Sequence, residues 1–520
     1  MPKYPKGILG VRKDPRNQIL FSFSARQGDE WPSDDDEDAD YAPGKDTDSE
    51  YEGSGTSKES QKRKIKDKKT KTTRKKKIKE NSHETTEKRS CTSRIVQRNT
   101  SEYPAFDGEL PSLPTEVWEK IFKIIVEKDG ALPFLHRAAR VCRLWNDISK
   151  RPHLWEKTDM SFGWLNLKES QLKSICENRL RSCRDLSVSG CKFMNHSWGV
   201  QAITDNCHNL RAINLSNCKK LPVCSVDKIV SSCKHLQDID LSSTTVDAVA
   251  QQTLINIAEK CGPNLKRIVI SENFAKNLST FLTKIAEKCP NLEHLDISNV
   301  KWQSGHTYDI ESFQRSCSKL KSFYSSNNVA RAMPASQQNL QQSPGFPDLE
   351  ELSLAALESN RLTTSDFIER FVKNATKLRL IDLRGCLSDR VVTVLKDIEA
   401  DDVEQLYLAR SQVASCLCLD DILRRWQHSL SHLDLSWNNF TRNSLDSGLD
   451  VLCDFCGESR MLQLSLAGTN VHMNTLKKIL RKMTKLERLD LSSCRDLDRG
   501  CKREYKSQAE INDLRKSLGL

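Results

Sequence analysis

No stretch of this 520-residue chain approaches eighteen uncharged apolar residues, so none reads as a helix that would cross a bilayer. The opening MPKYPKGILGVRKDPRNQ has no apolar core of signal-peptide length, and we expect no secretory leader and no membrane partner. A glycine-rich phosphate loop is missing, and so is any Ser/His/Asp grouping that the repeats described below do not already explain. Cys453 and Cys456 have metal-ligand spacing, with His472 downstream, but a lone pair with no second pair is too little for zinc. The expectation is therefore a protein with no catalytic residues, no metal and no cofactor.

Charge is uneven. Residues 1–100 hold 24 Lys/Arg against 18 Asp/Glu, which is +6 of the formal +11, so the remaining 420 residues carry only +5. A basic patch on a folded surface is not implied. Residues 29–52, around Asp34-Asp35-Asp36-Glu37-Asp38, carry twelve acids and one lysine, and residues 58–79 carry thirteen Lys/Arg. So little there can be buried that residues 1–105 are expected to be disordered. The basic run contains no aromatic residue to stack on bases, which makes nucleic acid an unlikely partner. It suits a nuclear-import signal centred on Lys62, Arg63, Lys64, Arg74, Lys75, Lys76 and Lys77, or else a solvated linker. Nineteen cysteines, an odd number scattered along the chain, read as reduced thiols of a nuclear or cytosolic protein.

Two patterns remain. From Leu113 to Trp155, Pro114 and Glu116 open a helix whose stripe is Val117, Ile121, Ile124 and Ile125, with Trp118, Phe122 and Ile125 beside it. A second helix is expected from Pro133, with Phe134, Ala138, Val141, Trp145 and Ile148 on one face, closed by Pro152, Leu154 and Trp155. Some forty-five residues cannot bury that much apolar surface alone, so part of it should await a partner.

The second pattern, L-x-x-L-x-L-x-x-(N/C/T), starts at Cys183, Leu210, Leu236, Leu265, Leu292, Leu320, Leu349, Leu378, Val403, Leu430, Met461 and Leu486, at intervals of 25 to 31 residues. That period is the one of leucine-rich repeats, each a short strand plus a helix that buries its apolar face only against its neighbours. Alternation puts the fourth and sixth positions inward and the third and fifth towards solvent. Cys191, Cys218, Cys386 and Cys494 fall at the ninth position, and Cys207, Cys233, Cys261, Cys289 and Cys317 just before a first leucine, where a small buried group fits. Residues 325–347 are polar and lack a helical stripe, so a loop is expected in place of a helix. The chain end should form a polar cap.

The spacing LP.E....IF, then VC..W, then P.LW resembles the F-box, and with Cys-containing repeats behind it the chain resembles F-box/leucine-rich-repeat proteins from residue 110 onward. Segments 133–145, 344–355 and 378–386 carry that likeness most strongly. The resemblance implies an α/β architecture: a tail (1–105), a helical F-box (110–157), and a curved solenoid of about twelve repeats with its cap (158–520). It implies docking onto a Skp adaptor, and through it cullin and RING subunits, by Leu113, Pro114, Glu116, Ile121, Phe122, Val141 and Trp145. The solenoid would hold an unknown client for ubiquitination, and the thioester chemistry would belong to other subunits. On the solvent side of the strands, Asp240, Arg267, Asp296, Tyr324, Asp382, Tyr407 and Asp434 are candidate client contacts, a mildly acidic strip with two aromatic anchors. The bland reading is that L-D-L-S is simply a favoured repeat sequence. Two other functions stay open: a scaffold or inhibitor that occupies a partner without ubiquitin transfer, and a nuclear protein that contacts nucleic acid through its basic tail.

Overall fold

The computed structural model describes residues 11–13, 19–21 and 113–520, apart from 164, 246–248, 276, 302–305, 329, 358–364, 388–390, 412 and 414–418. Within the tail expected to be disordered, Val11–Lys13 and Ile19–Phe21 pair as an antiparallel ladder.

Every one of the twelve repeats yields a three-residue strand at its third to fifth positions, from Asp185–Ser187 to Arg488–Asp490. Neighbouring strands pair in parallel and in register, so the fourth positions stack: Ile268, Leu295 and Phe323 lie opposite one another and are all buried. Crossover segments return along the other side of the sheet, most of them helical, as parallel pairing requires. The helix Leu278–Lys288 shows why these form: Leu278, Phe281, Leu282 and Ile285 make its buried stripe, and the Asn277 side chain caps it by accepting from the Thr280 N–H at 3.2 Å.

The turn after the strand repeats its conformation in most rungs. The eighth position is left-handed in eleven rungs; Gly190, Gly385 and Gly468 occupy it in three of them, and Asn217, Asn299 and Asn327 in three more. In seven rungs the ninth position, a cysteine or an asparagine, then reaches back one rung. Cys191, Cys218, Cys386 and Cys494 place Sγ 3.0 to 3.4 Å from the backbone oxygens of Met160, Val188, Leu354 and Leu466. Asn273, Asn328 and Asn438 do the same through Nδ2, to Leu241, Ile297 and Leu408. A thiol and an amide are interchangeable here because each supplies one buried donor to a carbonyl of the preceding rung. All ten cysteines assigned to the repeats, Cys183 included, are buried free thiols.

The sheet has fourteen strands, more than the twelve repeats expected. Lys157–Asp159 adds a rung at the start, in which Trp155, Thr158 and Met160 take the buried first, fourth and sixth positions. The helical unit therefore runs directly into the solenoid and shares its core. At the other end Glu504–Tyr505 pairs antiparallel with Arg488–Asp490 and closes the edge. The helix Gln508–Ser517 buries Ile511 and Leu514, and Arg515 donates to the carbonyls of Leu480 and Met483.

Two expectations need correction. The segment from Pro133 forms two short helices, Phe134–Ala138 and Arg143–Ser149, rather than one. Tight bonds from Arg140 N–H to Arg137 O and from Val141 N–H to Ala138 O close the first, and the break turns Val141 out to solvent. The polar segment 325–347 is structured: Ala330–Ala332 pairs in parallel with His306–Tyr308, and a helix follows over Gln337–Gln342. That helix buries nothing, so aromatic rings fill the space a helical stripe would have taken. The Phe371 ring centroid lies 4.5 Å from Phe323 and 4.7 Å from Phe346, both tilted, and 5.3 Å from Phe367, on which it stacks.

Candidate functional site

The helical unit packs Thr115–Asp129 against Arg143–Ser149 through an aromatic knot. Trp145 lies 5.0 Å from Trp118 and 5.2 Å from Phe122, and Phe122 lies 5.0 Å from Phe134. An Arg151–Glu119 ion pair at 2.9 Å ties the segment after the last helix to the first. Phe122 is thus interior rather than docking surface, while Ile121 and Trp145 are half-buried. Leu113, Pro114, Glu116 and Val141 are exposed.

What this unit leaves uncovered is apolar. Ten large hydrophobic side chains are exposed among the described residues, and five belong here: Leu113, Val117, Ile124, Val141 and Leu144. Ile124 and Val141 are each 63% exposed. Leu113, Val117, Ile121 and Ile124 recur at helical spacing, so they form one outward stripe. Val117, Ile124 and Leu144 are exposed too, although they were not among the expected adaptor contacts. The first two were visible in the sequence as members of the stripe, but only the packing of the aromatic knot shows which stripe faces out.

The strand side carries the second candidate surface. Its aspartates prove to be part of the turn. Asp240, Asp296, Asp434 and Asp490 each accept the backbone N–H two residues on, at 2.9 to 3.0 Å, and Asn214 does so at 2.8 Å. This Asx-type bond explains the recurrent L-D-L-S sequence without any ligand. Asp382 is buried, bonded to the Arg384 guanidinium at 2.9 and 2.7 Å, and accepts from Ser353. Arg267 is paired with Asp238 at 3.3 Å.

In the middle rungs the two predicted tyrosines each meet residues that were not predicted, and not each other. Tyr324 donates to Glu351 at 2.6 Å and packs 5.4 Å from His294. Three strands along, Tyr407 donates to Gln405, and Arg384 sits 5.3 Å over its ring. Burial pushes the Tyr324 hydroxyl above its ordinary range, with Glu351 adding to the effect, and burial lowers His294, with Arg267 adding to that. These groups can hydrogen-bond and stack, and nothing in the arrangement activates a nucleophile. Burial pushes the thiols of Cys191, Cys233, Cys289 and Cys317 up to about 12, away from reactivity.

Cys456 lies beyond the helix Arg442–Asp454 that contains Cys453, and His472 is bonded to Asp446 at 2.6 Å. Among the described residues no three His, Cys, Asp or Glu groups come together as a metal site would need. No described helix is long and apolar enough to cross a membrane. The expected import residues, Lys62, Arg63, Lys64, Arg74, Lys75, Lys76 and Lys77, lie outside the described residues.

Residues 110–161 match the F-box-like family model. The chain is 25% identical to F-box protein SKIP19 of Arabidopsis thaliana over 35% of its own length and 60% of that protein. It is also 25% identical to the plant's putative F-box/LRR-repeat protein 9, over 32% of this chain and 70% of that one. To F-box/LRR-repeat protein 4 of Bos taurus it is 25% identical, over 53% of this chain and 42% of the relative. The chain therefore spans less than two thirds of the first and third of these relatives. The matches support the family and single out no member of it.

Proposed function

The chain joins an F-box-like domain to a leucine-rich-repeat solenoid, and we propose that it is the substrate-recognition subunit of a Skp–cullin–F-box ubiquitin ligase. The observation that carries this reading is the clustering of Leu113, Val117, Ile124, Val141 and Leu144 as exposed apolar side chains on one small helical unit. Covering them stabilises a complex by about 1–2 kcal/mol per side chain. Pro114 and Glu116, exposed at the start of the same helix, fit the rim of such an interface.

In this reading the chain performs no bond chemistry. The helical unit holds the adaptor and the solenoid holds a client, so that a client lysine meets charged ubiquitin at raised effective concentration. The Tyr324–Tyr407 region of the strand face is the proposed client contact. The basic run 58–79 is the proposed import signal; replacing Arg74, Lys75, Lys76 and Lys77 by alanine should shift a fluorescent fusion towards the cytoplasm.

The adaptor reading is tested by Ile124→Asp combined with Val141→Asp. Both positions are exposed, so thermal unfolding should barely move while capture by a recombinant Skp adaptor falls at least tenfold. Undiminished capture overturns the reading.

A further inference from the structure

Charge is segregated within the folded part of the chain. Residues 131–237 hold 17 Lys/Arg against 8 Asp/Glu, whereas residues 238–520 hold 37 of each. The surplus therefore belongs to the helical unit and the first rungs, and the balance over the whole chain hides it.

Its focus is the edge of the sheet where the strands begin. The second position of each rung lies on that edge, just before its strand. Farther along the solenoid these positions alternate in sign, running Lys266, Glu293, Lys321, Glu350, Arg379 and Glu404. Neighbours pair accordingly: Lys266 and Lys321 flank Glu293 at 3.6 and 2.8 Å, and Arg379 meets Glu404 at 3.3 Å. In the first rungs the alternation fails. Arg211 follows Arg184, and its backbone N–H donates to the Arg184 carbonyl at 2.7 Å, so two guanidinium side chains leave adjacent rungs. Arg184 has one loose partner, Glu156 at 3.6 Å, and Arg211 has no carboxylate partner among the described residues. Like charges side by side on a sheet are destabilising unless an anion lies between them.

Space for that anion is present. Arg184 and Arg211 line one cavity of about 550 Å³, together with His153, Glu156 and His235. Exposed Arg181 and Lys234 stand on the same edge, three residues before the second positions of their rungs. A carboxylate would bring one charge and two oxygens. A phosphomonoester brings three terminal oxygens and a charge of about −1.5 to −2 at pH 7, which suits two guanidinium forks at once. Nucleic acid fits poorly, because Gln237 ends the row after two arginines and the lining has no Phe, Tyr or Trp to stack a base.

We propose that this cavity is a phosphomonoester site, with Arg184 and Arg211 clamping the phosphate and His153 and His235 offering N–H groups beside it. The phosphate comes either from a small metabolite or from a phosphorylated side chain, since both present the same group to the clamp. The site depends neither on an adaptor nor on the client contact at Tyr324 and Tyr407.

The test reads individual arginines in the full-length protein, so the basic run 58–79 does not obscure it. Phenylglyoxal labels exposed arginines, and mass spectrometry of the peptides follows Arg184, Arg211 and, as the control, exposed Arg488. Millimolar glycerol 3-phosphate or a short phosphoserine peptide should slow labelling of Arg184 and Arg211 at least threefold and leave Arg488 unchanged. Arg211→Gln should abolish the protection of Arg184 with little change in thermal unfolding, because Gln237 already fills that position in the next rung. Protection by the peptide at tenfold lower concentration assigns the phosphate to a protein segment; any other order of potency assigns it to a small molecule. The proposal is overturned if neither probe protects, or if sodium chloride of matched ionic strength or the unphosphorylated peptide protects equally. It is also overturned if Arg488 is protected alike, if Arg184 stays protected in Arg211→Gln, or if a single-stranded oligonucleotide protects at lower concentration than both probes. Adaptor capture is a separate measurement, so failure of either reading leaves the other standing.

Discussion

Arg370 grips Glu311 across 59 residues of sequence, with Nε 2.8 Å from one carboxylate oxygen and Nη2 2.5 Å from the other. Both side chains are nearly covered, at 10% and 4% exposure. They meet because the intervening crossover contributes only the unburied helix Gln337–Gln342, so Ile310–Ser316 and Ser365–Phe371 contact each other directly. Gln314 strengthens the joint by donating to the Arg370 carbonyl at 2.8 Å.

This pair yields the first prediction. Arg370→Met leaves the Glu311 carboxylate buried without its partner and should cost about 3–5 kcal/mol in denaturant unfolding. Adding Glu311→Met should recover part of that loss, since it removes the unpaired carboxylate but not the lost Arg370 bonds to the Met333 carbonyl and Asp366. If the double variant is as unstable as the single, the pair is not isolated in this way.

The proposed adaptor face should leave a footprint. Cys142 is exposed between Val141 and Arg143, while Cys224 and Cys456 are exposed far along the solenoid sequence. Iodoacetamide on the folded chain should modify these three and spare the buried repeat cysteines. Adding saturating adaptor should protect Cys142 several-fold and leave Cys224 and Cys456 unchanged. Mass spectrometry of the labelled peptides reads both effects.

The turn chemistry separates three neighbouring substitutions. Leu295→Asp puts a charge at a fully buried fourth position and should cost several kcal/mol. Asp296→Ala removes the acceptor of the Ser298 N–H and should cost about 1 kcal/mol. Asp296→Asn should cost little, because Asn214 already performs the same role in its own rung. Equal losses for Asp296→Ala and Asp296→Asn would show that the bond is not what holds the turn.

His294 predicts a pH effect with a definite sign. Burial holds its imidazole below the ordinary value, and Arg267 adds to this against the partial opposition of Asp296, Glu351 and Asp240. The unfolded chain therefore takes up the proton first, so the contribution is full above about pH 6.5 and is lost as pH falls below it. His294→Gln should flatten the acid-side decline in melting temperature between pH 7 and 5 relative to the parent. A parallel decline in both proteins would sink this assignment.

The repeat pattern by itself determined the strand frame. Leucine spacing fixed which side chains alternate inward, and the strands appear at the third to fifth positions of all twelve repeats because period two leaves no other way to bury the fourth and sixth. The ninth-position cysteines were legible as small buried groups where the turn leaves the strand, but their bonds back to the preceding rung were not. What the sequence could not decide is whatever depends on neighbours distant in the chain. Trp155 becomes the first core position of an extra rung only because Lys157–Asp159 finds the edge of Asp185–Ser187. The aspartates of L-D-L-S look like a ligand surface until the turn geometry shows them accepting backbone N–H groups. Phe122 and Ile124 are equally apolar and two residues apart, yet packing against Phe134 and Trp145 hides the first and leaves the second to solvent. Periodicity states that a face is apolar, and only tertiary contact decides whether the protein itself or a partner covers it.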